Sequence, residues 1–481
     1  MDDTPASGPA AGPQASEFQE AIYSAGLGGQ ENLLVEAVAG SGKSTTLREL
    51  SRRLPGSTLY TAFNKAIATE METKGLRGDV KTFNGLGHGV LTRNRPGAKL
   101  NARKVPEIIK SIMGEGSGDY REFGYTLARV VGLAKNCALG IGGEEPIWQD
   151  FETIIDDYGF DIPGEFIDSF SVICREAFEL SRLDERTFDF DDQLWTPLAN
   201  GWEYPHWDNV LIDEAQDLSP IQHLMAASMQ SRLIAVGDRH QAIYGFRGAL
   251  HNSMDLLKDR FAMKELPLSI CYRCSQSVVL AAQDFCPQIN WRDGAPQGEI
   301  SWSRSDPELF TSQHMILCRN NAPLFRAILA KIRAQEPCQV LSSFLDSFHG
   351  FIRGFKTRFS SDLVAKVDHW FEKERELAKT RSKLSLLADK RETVKLLAGQ
   401  FSLTEDILRM LDKLKESRSG PIFATIHKAK GLEYPNVYIL RPELLGGFGD
   451  DQTPEQKQQE ANLHYVAITR AQETLTYGAK R

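Results

Sequence analysis

Three scarcities in this sequence each remove a class of protein. It has no apolar run long enough to cross a membrane as a helix. Its seven cysteines are scattered over 481 residues. Only Cys271 and Cys274 form a CxxC, and no second pair at zinc-finger spacing joins them, so they read as ordinary thiols in a reducing compartment. Basic charge is not in excess. The formal net charge of −8 argues against a uniformly basic nucleic-acid binder, although a local basic channel is compatible with it. The opening stretch MDDTPASGPAAGPQ is rich in Pro, Gly and Ala and has no apolar segment, which predicts a disordered tail over 1–14 and no signal peptide. No internal repeat of fixed period is visible.

What is present suits a globular chain of two to four domains, with 41% hydrophobic and 25% charged residues. ENLLVEAVAG reads as a strand entering a Gly-rich turn, and STTLRELSRRL as the helix after it. Further strand-like runs are STLYTAF, NVLIDEA, RLIAVGD, HMILCRN, IFATIH and NVYILR. Helical patterns alternate with them, which predicts an α/β architecture with parallel sheets. Two stretches break the alternation: 88–186, and the charge-rich 344–417. Both read as helical insertions into α/β domains.

Six sequence blocks carry chemistry. In AVAGSGKST the amides around Gly40, Ser41, Gly42 and Lys43 suit phosphates at the next helix's N-terminus, with Thr45 following. Lys43 would neutralise β/γ charge and Ser44 would hold Mg²⁺. A plain Gly-rich turn is the alternative, since Ala37 stands where the strict pattern has Gly. In LIDEAQD two acids end an apolar strand, a costly placement unless a cation or a reaction uses them. Asp213 suits the Mg²⁺ shell and Glu214 suits a general base. VGDRHQAIYGFRGA holds Gln241, and Phe246 beside Arg247 offers a stacking platform next to a cation, with core packing as the other reading. SICYRCSQS, TIHKAKGLEYPNV and LHYVAITRAQ hold Tyr272, Arg273, His427, Glu433 and Arg470, each readable singly as a surface residue.

These blocks, in this order, resemble the superfamily 1 DNA helicases of the UvrD/Rep/PcrA type over nearly the whole chain. AFNKA, IHKAKGLE and EANLHYVAITRA are closest in detail to the F-box DNA helicase branch and its phage or bacterial relatives, without a preceding F-box. The resemblance implies two RecA-like P-loop domains with parallel sheets, each carrying a helical insertion. The first would comprise 15–87 and 187–265, interrupted by 88–186. The second would comprise 266–343 and 418–481, interrupted by 344–417. ATP and Mg²⁺ would bind in the cleft between them. Gln19 resembles the adenine-reading glutamine, Tyr272 the aromatic stacked on adenine, and Glu433 the ribose-contacting acid. Gln241 would couple the γ-phosphate to DNA, and Arg273 and Arg470 resemble arginine fingers from the second domain. Phe63, Lys65, Phe83, Phe246, Asn320 and His427 fall where DNA contacts are expected, with core packing the alternative for each Phe.

The implied activity is an ATP-driven motor moving 3′ to 5′ on single-stranded DNA and at single-strand/duplex junctions, in replication, repair or recombination. A monomer working with replication or recombination proteins is expected, in the cytoplasm of a bacterial or phage-infected cell, or in a eukaryotic nucleus. Two alternatives stand beside it: a translocase that strips proteins from DNA, and a non-catalytic nucleotide-gated clamp. Phe63 adjoins Asn64, Asn84 replaces a common His, and only eleven residues follow Arg470, which favours translocation over unwinding by a hairpin placed there. The second insertion is basic, with twelve Lys and Arg against seven acids over 351–396. It reads as a solvated helical face, with a duplex or partner contact as the minority reading.

Overall fold

The computed structural model describes residues 15–479 apart from 115–116, 144, 159, 161, 163–165, 244–251, 304–309, 378–380 and 447–452. Two six-stranded sheets, parallel throughout, organise the chain. In the first, the spatial order is Asp79–Thr82, Thr58–Ala62, Asn209–Ile212, Arg232–Gly237, Leu33–Ala37 and Lys264–Leu268. Its inner strands read LLVEA and NVLI because helices cover both faces, so adjacent side chains are buried in opposite directions. Leu33 and Val35 join Leu47 and Leu50 on one face, under the helices Glu17–Gly28 and Lys43–Arg53. Leu34, Val210 and Ile212 pack on the other face with residues of the first helical insertion.

The parallel register pairs Leu33 with Ile234 and Leu211 with Ile234, which brings three strand ends to one edge. From that edge leave the Gly-rich loop, the Asp213-Glu214 turn and the Asp238 turn. Ligand sites of open α/β sheets form at such an edge. NVLIDEA stops being a strand at Ile212, because Glu214 lies in the left-handed region at φ +52 and cannot continue a strand.

The first insertion contains the helices Lys104–Met113, Gly118–Asn136, Trp148–Asp157 and Ile167–Leu183. Two short parallel strands, Lys99–Leu100 and Thr187–Phe188, close its neck. Beside that neck lies a buried ion cluster. Lys104 Nζ is 2.7 Å from Asp192, and Lys135 Nζ lies 2.7 Å from Asp192 and 3.0 Å from Asp189. Burial works against the Asp192 carboxylate, but the two lysines outweigh it and hold its pKa below the usual range.

The second sheet runs Glu299–Ser303, Ala471–Gly478, Tyr434–Ile439, His314–Cys318, Ile422–Thr425 and Gln339–Val340. Four helices, Ser342–Gly354, Ser360–Leu377, Arg381–Ala398 and Thr404–Glu416, lie between its Gln339–Val340 and Ile422–Thr425 strands. IFATIH ends as a strand at Thr425, where the short helix Ile426–Ala429 begins. The two sheets meet through one apolar cluster, in which Val38, Ala39 and Ile243 pack with Leu463, Tyr465 and Val466. No helix among the described residues is long and apolar enough to cross a membrane.

Candidate active site

The Gly-rich loop is shaped as an anion cradle. Gly40 (φ +67) and Gly42 (φ +80) both occupy the left-handed region that favours glycine. Gly42 caps the helix Lys43–Arg53 with no side-chain hydrogen bond, and no acid sits in that helix's first turn. Its first amides and the positive end of its dipole are therefore left for a ligand. Ser41 Oγ is buried beside them without a partner among the described residues. Lys43 reaches across to Glu214, with Nζ 3.8 Å from Oε2.

The two acids differ sharply. Tyr60 Oη donates to Asp213 Oδ2. Burial, then the adjacent Glu214 charge, pushes the Asp213 carboxyl up. Burial acts on Glu214 too, but Lys43, Lys430, Gln216 and Arg470 together hold it below the usual carboxylate range. Glu214 is thus the more acidic of the two. A Mg²⁺ ion would draw on Asp213, Ser44 and phosphate oxygens, which fits a cation usually held by one or two carboxylates plus phosphates. No group of three or more His, Cys, Asp or Glu suited to a metal occurs among the described residues.

The second half of the site comes from the other sheet and from the segment joining the sheets. Tyr272 N–H donates to Gly40 O at 2.9 Å, and Tyr272 remains 39% exposed. Arg273 pairs with Glu433 and donates to Thr469 O at 3.3 Å. Arg470 is fully buried and donates to the carbonyls of Val466 and Leu432, each at 3.0 Å. Burial, with Arg273 close by, pulls its guanidinium down to about 10. Cys271 and Cys274 are free, buried thiols packed behind this loop.

Gln19 stands over the loop, but its amide is engaged: Oε1 accepts Ser16 N–H at 3.0 Å and Nε2 donates to Thr46 Oγ1 at 3.1 Å. Gln241 donates to Asp238 Oδ2 at 2.7 Å. Ser44 and Thr45 are exposed at the helix start.

The expected DNA contacts do not form one group. Phe63 is 40% exposed, beside exposed Lys65 at the start of the helix Lys65–Thr73. Asn320 caps the helix Asn321–Arg333, and half-buried His427 lies on the helix Ile426–Ala429. Phe83 is corrected: it is 4% exposed and packs in the first core cluster, so it offers no face to a base. Burying a ring of that size contributes about 2–3 kcal/mol, which favours the core over a stacking site. Phe246 lies outside the described residues.

Several residues to which pattern reading gave no role make telling contacts. Lys430 Nζ donates to Asp217 Oδ2 at 2.5 Å and to Gln241 O at 2.7 Å, crossing between the sheets. Tyr465 Oη accepts Ala39 N–H at 3.0 Å. Gln216 donates to Glu214 Oε2 at 2.5 Å and accepts Asp238 N–H at 3.0 Å. Phe190 is 53% exposed, and its carbonyl accepts from Asn84 at 2.8 Å. The string DEAQD advertised its polarity, but only the fold shows which partner each member takes.

Comparison with known proteins finds one family in both halves of the chain. Residues 169–262 match the UvrD/REP helicase N-terminal domain, and 390–480 match the UvrD-like helicase C-terminal domain. Both stretches are thus similar to UvrD-like helicases. F-box DNA helicase protein 1 of Schizosaccharomyces pombe is 26% identical over 95% of this chain and 56% of its own length. A probable DNA helicase of Mycoplasma pneumoniae is 25% identical over 92% of this chain and 79% of its own. DNA helicase II of Escherichia coli is 25% identical over 56% of this chain and 41% of its own. The chain thus spans about half the length of the first and less of the third. Its two sheets, parallel with alternating helices, are those of two RecA-like α/β domains.

Proposed function

We propose that this chain is an ATP-dependent motor on single-stranded DNA, moving 3′ to 5′ and unwinding duplexes ahead of it. The observation that carries the reading is a divided charge site. Lys43 lies 3.8 Å from Glu214 on the first domain, while Lys430 from the second domain pairs at 2.5 Å with Asp217 of the same turn. An ion site shared between two bodies senses their separation, because attraction falls with distance and with water entry.

ATP bound in the cleft supplies the γ-phosphoryl group, and Mg²⁺ its charge neutralisation. The Gly40–Lys43 amides and Lys43 would hold phosphate oxygens, and Asp213 and Ser44 would hold the cation. Glu214, kept ionised, accepts a proton from the attacking water. Arg273 and Arg470 stabilise the transferring group from the second domain. Loss of the γ-phosphate removes the charge on which both halves converge, and the cleft relaxes. Phe63, Lys65, Phe190, Asn320 and His427 are the DNA-facing candidates of this reading.

ATPase activity is measured with and without oligo-dT, for wild type, Lys43→Ala and Glu214→Gln. Strong stimulation lost in both variants supports the motor, and a wild type indifferent to DNA removes it. Strand displacement on 3′-tailed and 5′-tailed duplexes then reads polarity. A translocase that strips proteins from DNA is the second reading, favoured by the compact four-helix second insertion. It expects directional ATP-driven clearance of a bound protein with little displacement on either duplex.

A further inference from the structure

The turn at 239–243 of the first domain is held in an unusual way. Four of its five carbonyls are taken by side chains of the second domain. Asn462 Nδ2 donates to Arg239 O at 3.1 Å and to Ala242 O at 3.0 Å, so both amide hydrogens are used. Lys430 Nζ takes Gln241 O at 2.7 Å, and Gln459 Nε2 takes Ile243 O at 3.3 Å. Asn462 is only 4% exposed, and Gln458 donates to its Oδ1 at 2.9 Å, fixing which way the amide faces. The helix Pro454–Ile468 therefore grips the turn by its backbone, whatever side chains the turn carries.

The gripped turn leads directly to the reacting end of the site. Asp238, at its start, takes the Gln241 amide at 2.7 Å, and its own N–H is held by Gln216 at 3.0 Å. Gln216 in turn holds Glu214 at 2.5 Å. In the other direction, Ile243 runs into the YGFRG stretch of the sequence.

We propose that Asn462, assisted by Gln459, is a positioning residue that transmits the second domain's position to Glu214 through the 239–243 turn. This inference rests on the motor reading above and adds the residues that couple its two halves. Asn462 touches neither nucleotide nor DNA in this role. Its two hydrogen bonds keep the turn in register with the cleft, so that Glu214 and Gln241 are aligned when the domains are together.

The test uses the full chain with oligo-dT as the DNA. Asn462→Ala is expected to lower DNA-stimulated kcat about tenfold while KM for ATP changes less than about twofold, the size of a typical coupling between sites. Gln459→Ala removes one bond from a half-buried side chain and is expected to lower kcat about threefold, which keeps the test open should Asn462→Ala fold poorly. Combining Asn462→Ala with Gln216→Ala is expected to cost less than the product of the single losses, because both act on one path. Wild-type kcat in both single variants, or losses that multiply, would overturn the proposal. Absence of DNA stimulation in the wild type is a separate outcome: it removes the motor reading and the coupling role with it.

Discussion

The two halves of the cleft are built on opposite plans. On the first domain, the groups proposed to face phosphate run in one stretch from Gly40 to Ser44, a loop whose form follows from its own glycines and the helix after it. On the second, Arg273, Lys430 and Arg470 come from three distant stretches and are aimed by neighbours. Among the described residues Lys43 forms an ion pair with Glu214 alone, whereas Arg470 is wrapped in carbonyls of its own domain. A local site can be read and can be broken by one residue. A collected site distributes its function, and each member is also a structural element.

The largest expected effect follows from that contrast. Lys43→Ala removes the one cation of the local half and should lower DNA-stimulated kcat by roughly 10³-fold with little change in melting temperature. Arg470→Lys keeps a charge in the collected half but loses the planar fork that serves Val466 O and Leu432 O. A kcat loss of about 10²-fold is expected, with a lowered melting temperature as the second readout. Equal kcat losses with unchanged melting in both variants would erase the distinction between the halves.

The same division explains how much was legible beforehand. The strands ending at Ala37, Ile212 and Gly237 announce themselves as apolar runs, because a parallel strand buried on both faces can hold little else. Gly40 to Ser44 follows the same logic, since left-handed backbone at a helix start asks for glycine. Asp217, Asn462 and Tyr465 carry no such local mark. Their roles lie in partners far away along the chain, Lys430, Arg239 and Ala39 respectively, and no periodicity encodes those pairings. Phe83 fails for the converse reason: an aromatic reads alike in the core and on a stacking face, and only burial separates the two.

The local half also rests on a support with a pH signature. His223 is buried, its Nε2 2.9 Å from Ser253 Oγ, which donates to Ala215 O at 2.7 Å, next to Glu214. Burial, reinforced by Arg260, lowers its pKa from 6.5 to about 4. Below the unfolded value the unfolded chain takes up a proton that the folded chain refuses. Stability is therefore fully present above about pH 6.5 and is lost as the pH falls toward 4. Between pH 7.5 and pH 5 the His223 contribution should fall by about 2 kcal/mol. Denaturant titrations at the two pH values should show this loss, and His223→Gln should remove most of it. A profile unchanged by the substitution would place the acid sensitivity elsewhere.

The smallest effect tests the seam where the two halves touch. Gly40 lies at φ +67, and a Cβ added there would sit 2.6 Å from Arg273 Cβ and 3.0 Å from Cys271 Sγ. Arg273 Cβ is fixed by its backbone and cannot swing away as a side-chain tip would, so the joining segment must retreat. That retreat loosens the Tyr272 N–H bond to Gly40 O and shifts Tyr272 and Arg273 together. Gly40→Ala should therefore raise KM for ATP about tenfold while leaving kcat at saturating ATP within about threefold, because Lys43 and Glu214 do not move. The left-handed backbone adds roughly 1 kcal/mol of strain in any case, visible as a lower melting temperature. Lowered kcat at unchanged KM would mean that the close approach serves the reacting end of the site and not the holding of nucleotide.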